Sequence, residues 1–421
     1  MTDPAPDMAT IPLERMFASP SLSGPSPREV KYSPDGQRVS FLKARVDDAA
    51  RFDLWAFDVA TGDASMLVDS KLLEPDEVEL SEEEKAIRER KRIAGSKGIV
   101  SYDWGGSDQI LVPLGGDLHL VTLTETGPTT RQLTETDAFE YDARVSPAGT
   151  YVSFVRDGAV YAINLESGEE TRMTPLAEPE NAISYGVAEF VAQEEMSRYT
   201  GYWWSPDDTY LAYTRVDEST VDIIPRFEIA AGETTVIEQR YPRAGRPNAV
   251  VDLFVRDIEA EEINGINWRM TGWGPATDQY LARVNWNTTS ESTPVLTVQR
   301  VNRDQTHLTT GQYDPRDTNW SPSEEPGVSA NAEIGTLLEE VQLNWINLSF
   351  DLKQCGDRRV FTSEESGHRH VLIDRRPIGA RGYRDREPEQ VTAGSWDVAE
   401  IVTCSEPNSE IFFTGFKDTP L

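Results

Sequence analysis

At 421 residues the chain exceeds the roughly 100–200 residues of one ordinary domain, and repetitive β architectures are the standing exception, each repeat adding its own small core. Apolar residues at 38% and aromatics at 9%, with 10 Trp, 14 Tyr and 14 Phe, exclude a disordered chain and lean toward sheet. A formal charge of −32 repels nucleic-acid phosphates and anionic lipid, so neither nucleic acid nor a membrane surface is an expected partner.

Residues Met1 to Met16 carry no basic n-region and no apolar h-region, and no run approaches the roughly 20 apolar residues that span a bilayer. The chain as written is therefore expected in the cytoplasm, or in the periplasm if a leader was lost. The first repeat unit follows. Tyr32-Ser33-Pro34-Asp35-Gly36 is a turn, and Gln37 to Leu42 an alternating strand. Pro presets φ, Asp bonds its own backbone and Gly accepts positive φ. Asp53 to Asp58 and Thr61-Gly62-Asp63 continue into a second hairpin. Residues 80–95 differ: Ser81 with Glu84 forms a capping box, Glu84 and Arg88 are an i,i+4 pair, and Arg88, Arg90, Lys91 and Arg92 cluster where a helix dipole favours cations. This reads as a helix, solvated on its surface or a lid offering an Arg to a ligand.

The turn-and-strand unit then recurs. A looser copy begins at Asp103-Trp104-Gly105-Gly106, and residues 115–124 form a further strand. Val145-Ser146-Pro147-Ala148-Gly149 precedes Thr150 to Val155, with further turns at Asp157-Gly158 and Glu166-Ser167-Gly168. Trp204-Ser205-Pro206-Asp207-Asp208 precedes Thr209 to Tyr213, and another loose copy starts at Trp273-Gly274-Pro275-Ala276. Antiparallel four-stranded units at this kind of spacing predict an all-β fold, a β-propeller with a short helical insertion.

Residues 186–215 break the pattern. Ala188 to Met196 has helix-forming composition, and on a helix Glu194 and Glu195 point about 100° apart. Alone, such a pair is ordinarily a solvated helix surface. At the end of a short helix aimed into a cavity, it would grip an ammonium. A peptide α-ammonium has three N–H donors and a pKa of about 7.7–8.0, which two carboxylates satisfy with charge-assisted bonds. The mutual repulsion of the acids favours a cation between them. Trp203 and Trp204 read as core. His119, His307, His368 and His370 lie in strand-like or loop segments; His368 and His370 share a strand face, but no third ligand is evident, so no metal is expected. Cys355 and Cys404 show neither metal-ligand spacing nor a disulfide framework; they could meet across a sheet, but the expectation is two buried free thiols.

The stretch Gln193-Glu194-Glu195-Met196-Ser197-Arg198-Tyr199-Thr200-Gly201-Tyr202-Trp203-Trp204-Ser205-Pro206-Asp207-Asp208 closely resembles the double-Glu region of bacterial dipeptidyl peptidase IV-like serine peptidases, of the prolyl oligopeptidase clan. The resemblance extends to Arg215 to Ser219, Val236 to Gly245 with its Tyr241-Pro242-Arg243-Ala244-Gly245, the opening Leu13-Glu14-Arg15 and Leu22 to Pro25, the helix at 80–95, and Thr362 to His370. It implies an eight-bladed propeller capping an α/β-hydrolase domain. Residues 1–30 would pack on that domain, and residues 31–421 would be the propeller, ending before the final blade and leaving seven to eight blades with the last incomplete or missing. In such enzymes the double Glu holds the substrate's free N-terminus, so that X-Pro or X-Ala dipeptides are released. Glu194 and Glu195 take that role by resemblance, and Arg88 or Arg92 would bind a substrate carbonyl. The implied partners are a peptide with a free N-terminus and the chain's own hydrolase domain, and a homodimer is compatible with the plan; no cofactor is implied. Acyl transfer needs a Gly-x-Ser-x-Gly elbow, which this sequence does not contain, so the Ser/Asp/His triad is expected outside it and the chain alone is expected to be inactive and, with unpaired strand edges, prone to aggregate. The alternative is a non-catalytic propeller serving protein–protein recognition.

Overall fold

A Ser-Pro-Asp turn starts a strand because its side chains close their own hydrogen bonds. The structure, a computed structural model, describes residues 11–18, 22, 26–74, 80, 82–229, 231–260, 263–266, 276–316, 335–380, 387–406 and 408–417. In it Ser33 Oγ donates to Asp35 Oδ1 at 2.6 Å and accepts from the Arg38 N–H at 2.9 Å, while Gly36 sits at φ 70°. Ser205 and Asp207 repeat the arrangement at 2.7 Å. Ser81, Ser23 to Pro25 and Trp273 to Pro275, singled out in the sequence, lie outside the described residues.

The chain divides into two compact units. The first holds residues 1–145 and 152–156. After α1 (Leu13–Met16) come β1 (Arg28–Tyr32), β2 (Arg38–Ala44), β3 (Arg51–Asp58) and β4 (Ala64–Val68), an antiparallel meander. α2 (Ser70–Leu73) and α3 (Glu82–Arg90) follow, and β5 (Lys97–Gly98) pairs parallel with β3. A second meander comprises β6 (Asp103–Trp104), β7 (Gln109–Leu114), β8 (Asp117–Thr124) and β9 (Gly127–Gln132). Last are β10 (Tyr141–Val145) and β11 (Tyr151–Arg156), with Arg144 opposite Ser153. Leu42, Leu54 and Val68 of the first meander share one core with Ile110, Val112 and Val121 of the second. A polar knot accompanies it: Tyr102 Oη bonds Ser40 Oγ at 2.8 Å, and Trp104 Nε1 donates to the same hydroxyl at 2.9 Å. Burial pushes the Tyr102 phenol up to about 12.

α3 is shorter than the predicted 80–95. Arg92 adopts left-handed backbone at φ 58°, and the Ile93 N–H returns to the Arg88 carbonyl at 2.8 Å, a Schellman-type closure that ends the helix.

The second unit holds residues 146–151 and 157–421. β12 (Ala159–Asn164) pairs with β13 (Glu170–Arg172). A sheet ordered β14-β16-β19-β20 is built from β14 (Ile183–Tyr185), β16 (Tyr210–Asp217), β19 (Val250–Asp257) and β20 (Ile263–Ile266). Between its first two members in sequence lie α4 (Phe190–Glu195) and β15 (Tyr202–Trp204), the latter also paired with β16; β17 (Ile223–Ile229) and β18 (Thr234–Arg240) form a separate ribbon. Two further meanders are β21 (Gln279–Thr288), β22 (Pro294–Asn302), β23 (His307–Tyr313), β24 (Gly335–Val341), and β25 (Lys353–Cys355), β26 (Arg358–Ser363), β27 (His370–Asp374), β28 (Glu389–Gln390). The hairpin β29 (Val398–Ser405) and β30 (Glu410–Gly415) ends the described chain. Repeated four-stranded meanders are blades, and the fold class is the all-β propeller type that the turn repeat predicts.

Within this unit, successive sheets are joined by side chains that reach a neighbour's backbone. The Ser146-Pro147-Ala148 turn has no Asp of its own. Asp208, 62 positions away, takes that place: it accepts from Ser146 Oγ at 2.6 Å, Ala148 N at 3.0 Å and Thr150 N at 3.1 Å. Tyr151 stacks on Trp204 with centroids 5.1 Å apart. Trp286 Nε1 donates to the Trp203 carbonyl at 2.9 Å, and Gln354 exchanges two bonds with the backbone of Thr288, at 2.8 and 2.7 Å. Asp351 accepts from the Ile401 N–H at 2.8 Å.

The expectation of free thiols is overturned. Cys355 of β25 and Cys404 of β29 form a disulfide, their Cα atoms 5.9 Å apart, because their two sheets pack over a common core of Val360, Val371, Val398 and Ile401.

Asp208 is only 6% exposed, so removing its carboxylate leaves the buried Ser146 hydroxyl and the part-buried N–H groups of Ala148 and Thr150 without this acceptor. Asp208→Ala is expected to cost about 2–4 kcal/mol in urea unfolding of the protein, and Asp208→Asn less, since Asn keeps one acceptor and tolerates the φ of 60° at this position.

Candidate functional site

A six-residue helix has no stability of its own in water, so tertiary contacts must hold α4. Its inner face does so. Ala192 is fully buried, and Met196, one turn on, packs against Ala282 and Val301 with Val191 beside it. At the N-terminal end Phe190 meets Tyr241 edge to face, centroids 5.0 Å apart, which brings the Tyr-Pro-x-Ala-Gly segment onto the helix. Asp222 in turn grips that segment, accepting from Arg246 at 2.9 and 3.0 Å and from Arg243 at 2.6 Å; the two guanidiniums, Arg246 foremost, hold its carboxyl well below the ordinary range.

A buried ion pair locks the helix from beneath. Arg198 Nη2 donates to Glu189 Oε2 at 2.7 Å, with side chains 4% and 5% exposed. The remaining guanidinium donors are also used: Nη1 binds the Thr200 carbonyl at 2.9 Å and Nε the Leu281 carbonyl at 3.2 Å. The Arg198 N–H closes on the Ala192 carbonyl at 2.9 Å, after Ser197 turns the chain at φ 53°. Gly201 is required next, since a Cβ there would run into the backbone of Gly186 and Val187.

This scaffold sends Glu194 and Glu195 outward from the last turn of α4, and both are exposed. Two adjacent carboxylates on a fixed helix end are an acceptor-rich feature that a cation reaches from solvent. A cavity at the root of the helix, lined by Glu189, Phe190, Val191, Asn248, Gln279 and Tyr280 among others, measures about 10 Å³, the room of a single water, and neither Glu194 nor Glu195 lines it.

The two Arg candidates, in the first unit, part company. Arg88 is buried, paired with Glu84 and donating from Nη1 to the Ser96 carbonyl at 2.7 Å. Arg92 is exposed, and its guanidinium meets no partner among the described residues. Trp204 is buried and Trp203 half-buried in the second unit's core, as the sequence reading expects. His370 is buried, with Nδ1 3.1 Å from Thr392 Oγ1 and Nε2 3.0 Å from the Gly394 carbonyl.

The Glu189–Arg198 pair was invisible to sequence reasoning. Its only trace is a charged residue on either side of the helix, indistinguishable from a solvated one without the fold.

The comparisons with known proteins agree with one another. The family model described as the dipeptidyl peptidase IV (DPP IV) N-terminal region matches residues 112–421, well over half of the chain. Mouse dipeptidyl peptidase 8 is 27% identical over 416 residues, covering 81% of this chain and 45% of the relative. A probable dipeptidyl-aminopeptidase B of Aspergillus niger is 27% identical over 300 residues, covering 65% and 30%. Among solved structures, Porphyromonas gingivalis dipeptidyl peptidase 4 superposes with a TM-score of 0.66 at 18% identity, covering 93% of this chain and 50% of that one, a likeness of fold. The chain thus spans about half the length of the dipeptidyl peptidase 8 relative and of that structural neighbour.

Deleting the buried cation strands a desolvated carboxylate. Arg198→Met is expected to cost about 3–5 kcal/mol in denaturant unfolding, and the double variant Glu189→Leu/Arg198→Met distinctly less. Additive losses in this cycle would show that the two residues do not act as a pair.

Proposed function

We propose, on the premise that this chain belongs to the dipeptidyl peptidase IV N-terminal-region family, that it is the substrate-gating, N-terminus-binding propeller of a serine dipeptidyl aminopeptidase that releases X-Pro and X-Ala dipeptides. The observation that supports the reading is the fixed mounting of the segment that resembles the double-Glu region: Glu194 and Glu195, though exposed and outside the cavity, end a helix whose root is locked by a buried ion pair. Rigidity matters because an anchor that moves with its ligand gives no register for cleavage.

The chemistry suits a peptide's α-ammonium. Its three donors meet acceptor-only carboxylates, and its charge relieves the repulsion between them. The carbonyl end of the helix adds a small negative field at the same place. A neutral or acylated N-terminus has neither the charge nor the donors. Holding the amine at a fixed point makes the propeller a ruler, so the bond two residues away meets the nucleophile, which the hydrolase portion supplies. Of the two Arg candidates we assign the substrate carbonyl to Arg92, since Arg88 is buried with its Nε and Nη1 engaged by Glu84 and Ser96.

The test uses the full-length enzyme. Glu194→Ala and Glu195→Ala are each expected to lower kcat/KM for X-Pro amides on the order of a hundredfold, about 2.7 kcal/mol of transition-state stabilisation. N-acetylated substrates are expected to be refused. Arg92→Ala is expected to lower kcat/KM at unchanged thermal stability, whereas Arg88→Ala chiefly lowers stability. Both Glu variants within a factor of about two of the parent would overturn the anchor.

A further inference from the structure

We propose that Cys355 and Cys404 are an oxidation site that clamps the hairpin β29–β30 to the sheet β25–β28, and that the mature chain works in an oxidising compartment. The inference is independent of the double-Glu reading.

β29 and β30 form a hairpin that packs on the sheet β25–β28. Ile401 and Val398 of β29 do reach the core shared with Val360 and Val371. Val402, Phe412, Phe413 and Phe416 remain exposed. Polar ties hold the start and middle of β29, where the Val398 N–H donates to the Arg369 carbonyl and the Ile401 N–H to Asp351, each at 2.8 Å; the disulfide fastens the far end, at Cys404. Between the cysteines, 49 positions apart, runs a long loop, so the cross-link removes many open arrangements from the unlinked chain.

The surroundings are shaped for the bond. Cys355 ends β25, and Gly356, at φ 62°, carries the turn to β26 with the side chain of Glu406 lying where a Cβ would project. That close approach brings residues 355–356 and 404–406 together independently of sulfur chemistry. Both cysteines are half-buried, so an exchange partner has access while bulk reductant is hindered.

The reaction is thiol–disulfide exchange with an oxidised dithiol protein or glutathione disulfide. One cysteine thiolate attacks the carrier's disulfide, forming a mixed disulfide and releasing one carrier thiolate. The second cysteine thiolate displaces the other carrier sulfur, closing the Cys355–Cys404 bond. The two thiols lose two protons and two electrons, and the carrier disulfide is reduced to two thiols. Such bonds persist in oxidising compartments and are rare elsewhere. Within residues 1–421 these are the two cysteines, and Cys404→Ser separates the effect of this bond from any other reductant effect.

The experiment takes the protein from its own source, acid-quenched, denatured and alkylated without reductant. Trypsin then yields peptides 354–358 and 387–417, each with one cysteine. The expected result is these two peptides cross-linked to each other, with neither Cys355 nor Cys404 alkylated. Reduction is expected to speed limited proteolysis within the hairpin on the order of tenfold or more. Cys404→Ser should be cleaved at that faster rate with or without reductant. Alkylation of both cysteines in the isolated protein would overturn the proposal, and so would a cleavage rate indifferent to reduction. Should Cys404→Ser fail to fold, the peptide mass and the reductant response of the unaltered protein still decide it.

Discussion

A four-stranded meander in this chain is apolar on both faces, and no such sheet buries both by itself. Stacking is therefore obligatory, and the apolar contact alone leaves the ends of inner strands with unsatisfied backbone groups. In the second unit this is solved with single polar side chains that cross from one sheet to the next. Asp208, Gln354 and Asp351 each bind backbone atoms of a neighbouring sheet, and Trp286 does so with its indole N–H. Each contact pairs a donor and an acceptor that the packing of the sheets partly or wholly shields from water, so losing it costs more than the net value of an exposed hydrogen bond. Register between sheets then follows, because a one-residue slip breaks every such tie.

The candidate site inherits its geometry from this arrangement. α4 interrupts the chain between β14 and β15, and its inner residues join the core around β21 and β22 through Ala282 and Val301. Arg198 connects three parts at once: the helix N-terminus through Glu189, the following turn through Thr200, and β21 through the Leu281 carbonyl. A guanidinium suits this post because its planar donors point in several directions and it stays charged when buried. The acids that face solvent are thus held by a cation that does not.

Burial of charge recurs without a ligand role. Arg359 and Arg376 both contact Asp374, and burial brings Arg359 down to about 10. Burial likewise brings Arg283 down to about 10, aided by the nearby Arg198; it lies over the Phe350 ring at 3.9 Å and donates to the Ser349 carbonyl. Two of these arginines also tie sheets together, Arg359 donating to Gln312 of β23 and Arg376 to the Leu337 carbonyl of β24.

What the sequence determined on its own was local: Ser33-Pro34-Asp35 and Ser205-Pro206-Asp207 turns, alternating strands after them, a helix ending near the Arg cluster, and the acid pair at Glu194 and Glu195. Those features arise from interactions within a few residues, so composition and spacing disclose them. Tertiary structure alone decided that Asp208 serves a turn 62 positions earlier, that Glu189 and Arg198 share a buried bond, that Cys355 finds Cys404, and that Arg88 is engaged while Arg92 is open. In each case the side chain's chemistry permits several partners. Which one it meets depends on how the sheets pack and how deeply the group is desolvated, and neither quantity is encoded within a single turn of chain.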